Sequence, residues 1–115
     1  MKPWGKSISL DLYGCKLEKI NNPETIKQFV SEVIKEINMK AHGECHVERF
    51  GTGDLEGYSA IQFIETSSIT VHCDEPELRT FIDIFSCKDF DETHVEEFSK
   101  KFFEASTARA LTLMR

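Results

Sequence analysis

Between Glu44 and Cys87 the chain runs through four strand-like stretches whose connections are too short to hold crossover helices. No other feature of the sequence constrains the fold as much. The stretches are ECHVERF, YSAIQFIE, SSITVHC and TFIDIFSC, all with β-branched or aromatic residues. Parallel neighbours need a crossover of a dozen or more residues, usually a helix, so these strands are expected to lie antiparallel. GTGDLEG (Gly51 to Gly57) separates the first two with three glycines, and DEPELR separates the last two with Pro76 and four charges. TFIDIFSC is apolar on both faces and is expected at the centre of the sheet.

The flanking segments complete the pattern. SISLDLYGC (Ser7 to Cys15) alternates apolar and polar residues and ends near Gly14, which reads as a further strand. In NNPETIKQFVSEVIKEINMK, Asn22 is placed to cap a helix with Pro23 at its first position. Ile26, Phe29, Val30, Val33, Ile34 and Ile37 then form one apolar face. FDETHVEEFSKKFFEASTARAL reads as a last helix, capped by Asp91 or Thr93, with Val95, Phe98, Phe102 and Ala105 as its inner stripe. About five strands and two helices give an α+β fold, a two-layer α/β sandwich with a mainly antiparallel sheet and both helices on one face. Phe81, Ile82, Ile84 and Phe85 leave little polarity on the central strand, so the uncovered sheet face is expected to pack against a second copy in a homodimer.

Length and charge narrow the function. At 115 residues the chain is expected to be a single domain, 1–115, with nine Phe in a thin core. A net charge of −6 argues against a nucleic-acid partner held by phosphate contacts and suits a small cationic ligand. No apolar run approaches membrane-spanning length, and MKPWGKSISL lacks a signal-peptide apolar region. A cytoplasmic protein without membrane association is expected. Cys15, Cys45, Cys73 and Cys87 form no C-x-x-C pair, so they are expected to be free thiols, with no metal site.

The reactive residues Ser59, Ser67, His72 and Cys87 carry a family resemblance. TSSITVH puts His72 five residues after Ser67, DIFSC puts Cys87 fifteen residues after His72, and GYSA puts Ser59 eight residues before Ser67. This spacing resembles the small bacterial and archaeal S-adenosylmethionine decarboxylases, where a strand reading roughly E-S-H-I/L-S/T-I-H supplies the serine and the histidine. LDLYGC and ERFGTGDLEGYS extend the resemblance over nearly the whole chain, although the loop after Phe50 is about three residues longer than is usual there.

The resemblance implies a particular chemistry. The chain cleaves itself between Thr66 and Ser67, and Ser67 becomes a pyruvoyl group at the new N-terminus, a self-derived cofactor with no metal. Its ketone forms a Schiff base with the substrate amine and accepts the electrons left by decarboxylation, a sink that ordinary side chains lack. The resemblance gives His72 and Ser59 roles in processing and makes Cys87 the proton donor to the substrate carbon. It offers Phe50 as a stacking residue, and Glu65 is a candidate contact for a cationic substrate.

Three departures bear on substrate and processing. Thr66 stands where the family has Glu, Ser68 stands where it has His, and HCDEPE replaces H-T-W-P-E after His72. The missing Trp removes part of a nucleoside site, so L-ornithine or L-arginine is favoured over S-adenosylmethionine, in polyamine synthesis. The altered cleavage context leaves an alternative open: an unprocessed, non-catalytic homologue acting as a partner subunit or small-ligand-binding domain.

Overall fold

The computed structural model describes residues Met1–Arg115. Six strands form one sheet: β1 (Lys6–Tyr13), β2 (Ala41–Phe50), β3 (Gly57–Ile64), β4 (Ser67–Asp74), β5 (Arg79–Ser86) and β6 (Thr107–Met114). Their order across the sheet is β2-β3-β4-β5-β1-β6, and every neighbouring pair is antiparallel. Two long helices, α2 (Pro23–Glu36) and α3 (Glu92–Phe102), cover one face, with a single helical turn α1 (Leu17–Ile20) before them. The fold is the expected two-layer α+β sandwich, with β5 between β4 and β1 as its apolar character required.

Local chemistry accounts for the helix starts. The Asn22 side chain accepts from the Glu24 and Thr25 amides at 2.9 and 3.4 Å, and Pro23 gives up an amide that has no partner in a first turn anyway. Asp91, rather than Thr93, caps α3, accepting from the Thr93 and His94 amides.

The chain end departs from the sequence reading. The last helix stops at Phe102, and residues 107–114 form edge strand β6 paired along the whole of β1. ARALTLM has good intrinsic helix formers, but propensity is a weak preference that pairing with a neighbouring strand overrides. Glu104 lies in the left-handed region at φ 50° and turns the chain, and the Ser106 amide donates to the Tyr13 carbonyl at 2.8 Å to start the new ladder. The buried face of α3 accordingly consists of Val95 and Ser99, with Phe103 just beyond; Phe98 and Phe102 are only partly buried.

Phe29 is the hub of the core. It is fully buried, and its ring lies 4.7 Å from Phe103, 5.3 Å from Phe102 and 6.2 Å from Phe98, joining α2 to the end of α3. Ile8, Leu10, Leu12, Ile69, Val71, Ile82 and Ile84 supply the sheet side. Cys15 is buried among them, and all four cysteines are free thiols. Replacing Phe29 with Ala removes the one ring common to both helices and should cost about 3–5 kcal/mol of stability. Urea unfolding followed by circular dichroism measures this; a loss below about 1 kcal/mol would contradict the assignment of Phe29 as the hub.

Candidate active site

Strand alternation sorts the chemistry onto two faces. On β4, Ile69 and Val71 are buried under the helices while His72 is exposed. On β3 and β5 the open face carries Ser59, Ile61, Phe63, Phe81, Asp83 and Phe85. Ser59 pairs directly with His72 across the β3–β4 ladder, so both side chains stand on this open face. Their contact is a hydrogen bond of 2.8 Å between Ser59 Oγ and His72 Nδ1.

Ser59 and His72 line a cavity of about 540 Å³, within the range of small-molecule sites. Phe50 and Phe81 give it aromatic surface, Asp54 and Leu55 come from the loop after β2, Asp74 ends β4, Arg79 begins β5, and Glu77 comes from the turn between them. The loop after β2 is shaped by Gly51, at φ 96°, where a Cβ would collide with the Leu55 carbonyl oxygen. Arg49 ties loop and turn together: it bonds Glu56 at 2.7 Å and Glu75 at 2.6 Å, with its guanidinium 4.9 Å from the Tyr58 ring. Arg79 is bound to Asp74 at 2.6 Å, while Asp54 and Glu77 have no ion-pair partner. Cys73 also borders the cavity, and burial pushes its thiol up to about 12, so it stays protonated at neutral pH.

Thr66, Ser67 and Cys87 meet at the other end of β4. Glu65 and Thr66 form the two-residue turn of the β3–β4 hairpin, since Ile64 pairs with Ser67. Ser67 is the first residue of β4 and lies opposite Ser86, on the helix-covered side with Ile69 and Val71. The Cys87 amide donates to the Thr66 carbonyl at 3.0 Å. Buried Ser86 donates to Thr66 Oγ1 at 2.8 Å and accepts from the Lys88 amide at 3.0 Å. The Cys87 side chain is exposed and borders a smaller cavity of about 230 Å³ with Trp4, Lys6 and Asp89.

The candidate residues therefore fall into two groups. Ser59, His72 and Phe50 share one cavity; Thr66, Ser67, Cys87 and Glu65 share the hairpin end. Five residues of one strand separate Ser67 from His72, about 16 Å at the rise of an extended chain. Trp4 lies on the open face with its ring 5.6 Å from Phe85 and remains 64% exposed. Asp54 and Leu55 went unrecognised as cavity residues because loop residues carry no periodicity; Arg79 and Phe81 lie on β5, and only the sheet's register brings them to the cavity. No group of three His, Cys, Asp or Glu side chains is placed to hold a metal ion, and no helix is long and apolar enough to cross a membrane.

Fold and site together define an α+β sandwich with a serine–histidine pair on its uncovered sheet face and a serine-bearing hairpin turn beside a cysteine. A family model described as S-adenosylmethionine decarboxylase matches residues 6–115. This chain belongs to the S-adenosylmethionine decarboxylase family. The S-adenosylmethionine decarboxylase proenzyme of Shouchella clausii is 27% identical over 116 residues, spanning 100% of this chain and 87% of that one. The proenzyme of Clostridium kluyveri is 31% identical over 90 residues, 77% of this chain and 68% of its own. The crystal structure of the adenosylmethionine decarboxylase of Aquifex aeolicus superposes with a TM-score of 0.83 at 19% identity, covering 100% of this chain and 92% of that one, which establishes the shared fold.

Lys6 fixes the segment that carries Cys87. Its ammonium is nearly buried and binds Asp89 at 2.8 Å and Glu92 at 2.6 Å. Those hydrogen bonds hold both carboxyls below their ordinary values of 3.8 and 4.5. Carboxyls with lowered folded-state pKa stabilise the fold above their ordinary values, and that contribution is lost as pH falls through the lowered ones. Lys6→Met should therefore lose less stability than the wild type between about pH 5 and pH 3. Urea midpoints at both pH values test this; equal losses would show that the bridge does not set the acid sensitivity.

Proposed function

We propose that this protein is a self-processing, pyruvoyl-dependent decarboxylase of polyamine synthesis, acting on a small cationic amino acid, with L-ornithine or L-arginine favoured over S-adenosylmethionine. The observation that carries it is the position of the Thr66–Ser67 bond. The bond lies where the β3–β4 turn meets its strand, so cleavage leaves β3 held by β2 and β4, and β4 held by β3 and β5. Two fragments, 1–66 and 67–115, then remain one folded unit with Ser67 as a new N-terminus. The family match supplies the second support.

Processing needs no outside reagent but water. The Ser67 hydroxyl adds to the Thr66 carbonyl carbon, the peptide C–N bond breaks, and the nitrogen takes up the proton, leaving an ester and a free amine. Loss of the Ser67 Cα proton then expels the Thr66 carboxylate, and water replaces the nitrogen, released as ammonia, to leave a ketone. When formed, this pyruvoyl group supplies the electron sink for decarboxylation. Ser59 and His72 form the proton-handling pair for processing, and the Cys87 thiol returns a proton to the substrate.

The pair lies too far along β4 to reach the Thr66–Ser67 bond of its own chain. A homodimer resolves this: a second copy packed on the open face brings its Ser59–His72 pair towards the first copy's hairpin. The apolar side chains on that face support the pairing, with Phe63 60% exposed and Leu111 74% exposed. The substrate reading rests on charge. Asp54, Asp74 and Glu77 outnumber Arg79 around the cavity, so Asp54 and Glu77 remain for a distal cation, while Phe50 and Phe81 flank its stem.

Denaturing mass spectrometry of the purified protein should give two fragments, the second beginning with a pyruvoyl group, and Ser67→Ala should give a single chain. An intact wild-type chain after long incubation would favour a non-catalytic homologue instead. His72→Ala should slow cleavage by about 10²–10⁴-fold, the usual contribution of general acid–base catalysis. Carbon dioxide release should be faster from L-ornithine or L-arginine than from S-adenosylmethionine; the reverse order overturns the substrate assignment. Sedimentation equilibrium should report a dimer that Phe63→Glu weakens, and a monomeric wild type would remove the open-face pairing.

A further inference from the structure

We propose that the backbone N–H of Cys87 activates the Thr66 carbonyl for self-cleavage, acting as a fixed donor to the oxygen on which negative charge develops. The inference rests on the processing reading above and assigns an atom to a step that the serine–histidine pair does not account for. When Ser67 Oγ bonds to the Thr66 carbon, the carbonyl π electrons move onto Thr66 O, and this is the atom that accepts from Cys87 N at 3.0 Å. The donor is thus already bonded, before cleavage, to the oxygen on which the charge develops. The N–H keeps its proton throughout. The proton of the serine hydroxyl ends on the departing Ser67 nitrogen as the C–N bond breaks.

A donor is catalytic to the extent that it is already in place, and the surroundings of Cys87 hold it from three sides. Ser86, fully buried, joins Thr66 Oγ1 at 2.8 Å and the Lys88 amide at 3.0 Å, fixing the residues on both sides of Cys87 relative to the scissile peptide. Lys6 clamps Asp89 and Glu92 just beyond. Gly5 passes so close that a Cβ there would lie 2.6 Å from the Ser86 carbonyl oxygen. Thr66, which departs from the family's glutamate at this position, is thereby integrated into the site: its hydroxyl accepts from Ser86 and donates to Met39 Sδ at 3.2 Å, while its carbonyl faces Cys87 N. Cys87 thus contributes its amide to processing independently of the thiol proposed for turnover.

An amide-to-ester exchange at position 87 isolates the N–H. Two full-length proteins with the same side chain at 87, one joined to Ser86 through an amide and one through an ester, differ in that donor and in the acceptor strength of the Ser86 carbonyl, which does not face the scissile bond's oxygen. Their rates of cleavage at Thr66–Ser67, followed by denaturing mass spectrometry, should differ by about 10²-fold or more, the usual effect of deleting an oxyanion donor. A difference below about tenfold overturns the inference and leaves the processing reading standing. A wild-type chain that never cleaves sinks both. Should the ester protein not fold, isotope-labelled Ser67→Ala protein gives the decisive measurement. A scalar coupling across the hydrogen bond from Cys87 ¹⁵N to the Thr66 carbonyl ¹³C is expected, and its absence overturns the inference.

Discussion

The site depends on one constraint: helices cover only one face of the sheet. Ile69, Val71, Ile82 and Ile84 anchor β4 and β5 in the core, and the alternation of a strand then presents His72, Phe81 and Phe85 on the opposite side. The groups proposed for chemistry stand on strands whose other face is rigidly packed. This suits groups that must hold hydrogen-bond geometry to within a few tenths of an ångström.

β4 also explains why the candidate groups form two clusters. A single extended strand cannot bring its first and sixth residues together, so Ser67 and His72 are held by different neighbours. Ser59 on β3 holds His72. Ser86 and Cys87, at the end of β5, hold the turn that contains the Thr66–Ser67 bond. In the proposed reading these are two half-sites, which apposition of two uncovered sheet faces would combine.

The cavity's polar lining follows from the connections rather than the strands. Arg49 draws the β2–β3 loop and the β4–β5 turn together through Glu56 and Glu75, and Leu78, at φ 55°, closes the turn with its carbonyl accepting the Cys15 amide at 2.9 Å. Asp74 is paired with Arg79, and Glu56 and Glu75 share Arg49, so Asp54 and Glu77 are the cavity carboxylates without an ion-pair partner. The charge balance of the site is thus set by pairings between segments distant in sequence.

Much of this was legible from residue order. Alternation and short connections determined the antiparallel sheet, Asn22–Pro23 and Asp91 determined where the helices start, and the spacing of Ser59, Ser67, His72 and Cys87 carried the family resemblance. The first two signals are local, and local chemistry produces them. Tertiary structure alone decided that residues 107–114 become an edge strand rather than a continued helix, because only the free edge of β1 supplies the hydrogen bonds that override their helical propensity. It also decided that Ser59 meets His72 and that the Cys87 amide meets the Thr66 carbonyl. Strand register sets both contacts, and register is fixed by how the whole sheet packs on its helices.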